Sequence, residues 1–102
     1  MAWPFTGNIN NGTVDSQSQN LAMTVSSFTL VPKGGSAVVN VYKITASNQP
    51  ICIMPNNYNI SANQMYQATN PTVLLATEKI RVQVTGNVDY DFYVENLKKD
   101  NF

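Results

Sequence analysis

The chain has 102 residues, a mass of 11.2 kDa, a formal net charge of zero and 12% charged residues, about half the usual ~25%. It contains no histidine and a single cysteine, Cys52, which excludes histidine-based acid–base catalysis, Ser-His-Asp and Cys-His nucleophiles, the usual zinc sites and any intrachain disulfide. Asn and Gln make up about a fifth of this single-domain length, and so neutral an amide- and hydroxyl-rich surface attracts neither nucleic acid nor an anionic membrane.

Met1-Ala2-Trp3-Pro4-Phe5 has neither a basic n-region nor an apolar h-region, and no apolar run in the chain approaches ~18 residues. Synthesis and folding in a cytoplasm are therefore expected. Residues 1–19 read as an N-terminal arm, because Asn8, Asn10, Asn11, Gly12 and the Ser16-Gln17-Ser18-Gln19 run have loop composition. Trp3, Phe5, Ile9 and Val14 are spaced along it. Two readings of these apolar residues stand open: they cover one end of the chain's own fold, or they insert into a partner. On the second reading Trp3, Phe5 and Ile9 are the partner-binding residues, since aromatics at a contact carry much of its energy.

From Leu21 an alternating β pattern begins, and its phase flips across Ser26-Ser27, which predicts a bulge or a bend. Val31-Pro32-Lys33-Gly34-Gly35 is a loop. Ala37 to Ile44 is β-branched, with apolar residues on both faces, and reads as a central strand. Ile51-Cys52-Ile53-Met54 predicts a short strand in which Cys52 is a small buried hydrophobe. Met65 to Ala68 reads as strand rather than helix, and Val73-Leu74-Leu75 as another strand.

The last segment alternates most strongly. Ile80, Val82 and Val84 share one face, and Val88, Tyr90, Phe92 and Val94 another, with Gly86-Asn87 between them. This predicts two half-buried strands joined by a hairpin turn. The expected core packs these residues on Val39, Val41, Ile51 and Ile53. Asp89, Asp91, Tyr93 and Glu95 fall on the solvent face. Asp89 and Asp91 form a flat wall rather than a cleft, so the reading for them is cross-strand pairing with Lys79 and Arg81 instead of glycosidase or Ca²⁺ chemistry. Tyr58, Tyr66 and Tyr93 are candidate exposed rings.

Short strands at this spacing, with turn clusters between them, predict an all-β antiparallel β-sandwich of jelly-roll or immunoglobulin-like size over residues 20–97. An extended N-terminal arm over 1–19 and a C-terminal tail over 98–102 flank it. No catalytic residue, metal ligand or cofactor site is expected, and no enzymatic activity.

The segment order Val38-Val39-Asn40-Val41-Tyr42, Ile60-Ser61-Ala62-Asn63-Gln64-Met65-Tyr66, Pro71-Thr72-Val73-Leu74-Leu75-Ala76-Thr77-Glu78-Lys79-Ile80-Arg81-Val82 and a closing strand to Leu97 resembles the small β-sandwich virion proteins of tailed bacteriophages. The resemblance covers about residues 37 to 97. Thr77-Glu78 stands where members often carry Gly-Asp, and Asn63 where they carry Gly. The Asn-, Ile- and Tyr-rich usage is similar to that of AT-rich phage genomes such as the crAss-like group. The resemblance implies a non-enzymatic virion structural protein: a capsid auxiliary or decoration protein bound to the phage head, with the major capsid protein or other virion proteins as partners. A homo-oligomer is compatible with it. The alternative is a carbohydrate- or receptor-binding module of a tail or head fibre.

Overall fold

The structure, a computed structural model, describes residues 3–95; the tail expected over 98–102 lies outside them. The fold is all-β and antiparallel, as the pattern predicts. Its eight strands are β1 (Phe5–Asp15), β2 (Met23–Pro32), β3 (Ala37–Ile44), β4 (Pro50–Cys52), β5 (Tyr58–Ile60), β6 (Tyr66–Ala68), β7 (Thr72–Leu74) and β8 (Lys79–Glu95). They form a single sheet that curls as a half-barrel around one core, an arrangement compatible with a small β-sandwich.

The hairpin expected around Gly86-Asn87 is absent: β8 is one continuous 17-residue strand. A straight strand of that length would run ~55 Å, which fits along no axis of a body measuring 42 × 25 × 22 Å. β8 therefore bends, and Gly86 marks the place. Its φ is +116°, and a Cβ there would lie 2.9 Å from the Ala37 Cβ, so only glycine fits without displacing β3.

β8 is the spine of the sheet. Along one edge it pairs with the whole of β1, from Phe5 opposite Phe92 to Asp15 opposite Arg81. Along the other edge β3 covers its first half (Ile44–Lys79 to Val38–Thr85) and β2 its second (Pro32–Val88 to Thr24–Glu95). β7 and β6 then extend β2, while β4 and β5 extend β3. Each neighbour accommodates the corner. β1 carries a bulge at Asn11, whose side-chain oxygen accepts the Gly86 N–H at 2.8 Å, and the loop after β2 is pinned by Lys33 N–H donating to the Asn87 carbonyl at 2.7 Å.

Of the even-numbered residues of β8, Ile80, Val82, Val84, Val88, Tyr90 and Phe92 are buried, and Gly86 and Val94 are partly so. β2 places Met23 and Val25 inward, then Phe28 and Leu30, and the phase change lies at the expected bulge, where the register shifts between Val25 and Ser27. An aromatic layer of Phe5, Phe28, Tyr90 and Phe92 runs across three strands, with ring centroids as close as 4.7 Å. Gly7 completes it by absence: a Cβ there would meet the Tyr90 hydroxyl at 3.0 Å.

Three expectations are corrected. The arm over residues 1–19 is not a separate unit, because most of it forms β1 inside the sheet. Trp3, Phe5 and Ile9, expected as partner-binding residues, are buried in the chain's own core, and the Trp3 indole N–H donates to the Gln17 carbonyl at 2.7 Å. These apolar side chains gain more from an adjacent core than from waiting in water for a partner. Ile51 and Cys52 are exposed instead of buried, since β4 is an outlying three-residue strand that, among the described residues, pairs with β3 alone.

Candidate functional site

The outer face of the sheet carries two polar areas. The first lies where β1, β8, β3 and β4 run side by side. Register puts Asp15, Arg81, Tyr42 and Cys52 in one row, with Thr13, Gln83 and Asn40 in the next. Between them lies an open groove of about 580 Å³ lined by Thr13, Asp15, Tyr42, Pro50, Arg81 and Gln83. Arg81 grips Asp15 side-on, Nε donating to Oδ1 at 2.8 Å and Nη2 to Oδ2 at 2.9 Å. Lys79 Nζ approaches the same carboxylate at 3.0 Å. Lys79 and Arg81 were expected to pair with Asp89 and Asp91. They cannot, because the unbroken strand carries the acids away from them along one axis.

The Arg81 hydrogen bonds, with Lys79 beside them, lower the Asp15 pKa from 3.8 to about 2 against the opposing effect of burial. A carboxyl depressed in the folded state contributes stability above its unfolded pKa and loses it as pH falls through the folded value. The contribution is therefore complete above about pH 4 and gone below about pH 2. For a pair whose arginine side chain is 39% exposed, solvent screening leaves about 1 kcal/mol of it. Asp15→Asn should lower the melting temperature at neutral pH, and the gap from wild type should close as thermal melts are taken from pH 4 towards pH 2.

The second area surrounds Asp89 and Asp91. Asn8 Nδ2 donates to Asp89 Oδ1 at 2.8 Å, and Lys33 Nζ lies 3.7 Å from Asp89 Oδ2. A smaller hollow of about 360 Å³ is lined by Thr6, Gly7, Thr29, Val31, Asp89, Tyr90 and Asp91. Its carboxylates sit on a flat sheet with a lysine and an amide for company. Among the described residues no group of three or more His, Cys, Asp or Glu side chains could hold a metal ion.

A third feature is apolar. Leu21, Ile51, Met65, Val73, Leu75 and Tyr93 are each about half exposed or more. Three of them lie beside one ion pair whose glutamate is buried and whose lysine is partly exposed. Lys43 Nζ lies 3.3 Å from Glu78 Oε1 and donates to the Val73 carbonyl at 3.2 Å. Glu78 Oε1 also accepts the Leu75 N–H at 2.8 Å, and Ile51 sits opposite Lys43 in the ladder. Both charges of the pair have partners, and Ile51, Val73 and Leu75 stand exposed beside it.

Of the residues singled out in the sequence, the structure thus moves Trp3, Phe5 and Ile9 to the core and separates Arg81 from Asp89. Tyr58 and Tyr93 are exposed, and Tyr66 is partly covered, its ring 4.9 Å from that of Tyr58. The Asp15–Arg81–Tyr42–Gln83 groove was not apparent from the sequence, because its residues come from three strands whose adjacency only the β8 spine creates. The chain matches no protein-family model, no curated protein and no solved structure.

Proposed function

We propose that this chain is a non-enzymatic virion structural protein, a capsid auxiliary or decoration protein bound to the head of a tailed phage. The observation that carries the reading is the exposed apolar trio of Ile51, Val73 and Leu75 beside the mutually neutralised Lys43–Glu78 pair. Solvent-exposed apolar side chains on so charge-poor a body have little to oppose association. The major capsid protein is the partner that a head location supplies, and the resemblance of residues 37 to 97 to small virion proteins points the same way. Docking then runs through this patch rather than through Trp3, Phe5 and Ile9, which the fold consumes.

The groove beside Tyr42 favours a second reading, a carbohydrate- or receptor-binding module on a tail or head fibre. Copy number separates the two. Gel densitometry of purified particles should find tens to hundreds of copies per virion for a decoration protein, and Leu75→Asp should strip it from particles while the free domain still folds. A handful of copies favours the fibre module. Absence from the particle rules out both.

A further inference from the structure

We propose that the outer-face groove between β1, β8, β3 and β4 is a binding site for a neutral saccharide. This inference deepens the fibre-module reading but requires only the groove, so it holds equally for a domain seated on a head.

A saccharide presents two chemistries at once: an apolar C–H face and, around its rim, pairs of hydroxyls that each donate and accept. The groove offers a counterpart to both. Tyr42 supplies an aromatic ring, a large and conformationally inexpensive contact surface, and Pro50 adds an apolar margin. Gln83 and Thr13, adjacent across β8 and β1, supply an amide and a hydroxyl, which between them donate and accept. Arg81 uses Nε and Nη2 on Asp15, so its Nη1 donors remain for a further partner in a guanidinium whose position is already fixed. Fixing it beforehand removes part of the ordering cost of binding.

The lining also selects against other ligands. Arg81 and Lys79 both sit on Asp15, so only a single net positive charge remains to attract a phosphate or a polyanion, and a groove this polar and open gives a lipid tail no enclosure. Few, well-placed polar groups beside an apolar plane are what orient a small neutral ligand.

The test is an NMR titration of the full ¹⁵N-labelled chain with maltohexaose, cellohexaose and N-acetylated chitohexaose, and with hexagalacturonate as the charged comparison. Saturable shifts should centre on Thr13, Tyr42, Arg81 and Gln83 with at least one neutral probe. Its affinity should be unchanged between about 50 and about 500 mM NaCl, where screening would weaken an ionic contact. Tyr42→Ala and Gln83→Ala should each weaken binding about tenfold or more. Gln83 is exposed, so its variant should melt like wild type, which separates lost contact from lost fold. No shift with any neutral oligosaccharide, or shifts centred elsewhere, overturns the proposal. Binding of hexagalacturonate alone, collapsing at high salt, overturns it too and makes the groove an anion site built on Lys79 and Arg81. None of these results alters the copy number per virion, so the two proposals fail separately.

Discussion

A chain lacking residues 1–15 should not fold. The deletion removes Phe5 and Ile9, which are 0% and 3% exposed, along with Trp3, and it strips β8 of the strand that, among the described residues, covers one edge. Burying each such side chain contributes about 1.5–3 kcal/mol. Three of them approach the ~5–15 kcal/mol that separates a typical folded domain from its unfolded state. Loss of the β1–β8 ladder adds unpaired backbone groups beside the aromatic layer. The truncated chain should lose its cooperative thermal transition and show unfolded amide dispersion. Phe5→Ala, a milder change, should cost about 3–5 kcal/mol and keep the fold if the wild type is stable enough to bear it. A truncated chain that folds normally would restore the segment to the status of a free arm.

The second large effect is expected at Gly86. Gly86→Ala puts a side chain at φ +116°, with its Cβ 2.9 Å from the Ala37 Cβ and 3.2 Å from the Ala37 Cα. Backbone strain and overpacking together cost about 2–5 kcal/mol, to be read from chemical denaturation. Ala37→Gly in the same chain removes the closest contact and should return part of the loss, since the φ strain remains. Were β8 to turn at Gly86-Asn87 as a hairpin, Ala37 would not be the neighbour, and the second substitution would only add its own cost.

That contrast also shows what was legible in the sequence. Alternation identified the inward residues of β8 correctly, because burial of one face fixes side-chain parity whatever the connection. It misled about the connection, although the parity itself argued against a two-residue turn. A two-residue turn at Gly86-Asn87 would set Val84 opposite Asp89 and Val82 opposite Asp91, mixing apolar and acidic side chains on one face. Even-numbered apolar residues on both sides of Gly86 exclude that two-residue turn and are what a single strand produces. The bulge at Ser26-Ser27 was legible for the converse reason: there the phase does change.

β1 was hidden by its composition. Asn8 and Asn11 look like turn residues, yet Asn8 bonds Asn87 and Asp89 across the outer face and Asn11 ties the corner through Gly86. Phe5, Gly7 and Ile9 do alternate, but Gly7 reads as a break unless one knows that Tyr90 fills its place. Ile51 and Cys52 were misplaced because hydrophobicity alone does not reveal that a strand lies at the margin of its sheet. The groove at Tyr42 was out of reach, since Asp15, Tyr42 and Arg81 become neighbours only through pairings 39 and 66 residues apart in sequence.

Amide hydrogen exchange along β8 and β1 tests the central claim, a single continuous spine with β1 along its edge, most directly. β8 is paired on both edges from Arg81 to Val84 and from Val88 to Phe92, so its amides there should be protected on both parities, with Gly86 held by Asn11. β1 pairs with β8 alone among the described residues, so about every second amide of Phe5–Asp15 should be protected, at the level of global unfolding. Fast exchange at Gly86 and Asn87 flanked by two protected blocks, or uniformly fast exchange over residues 5–15, would contradict it.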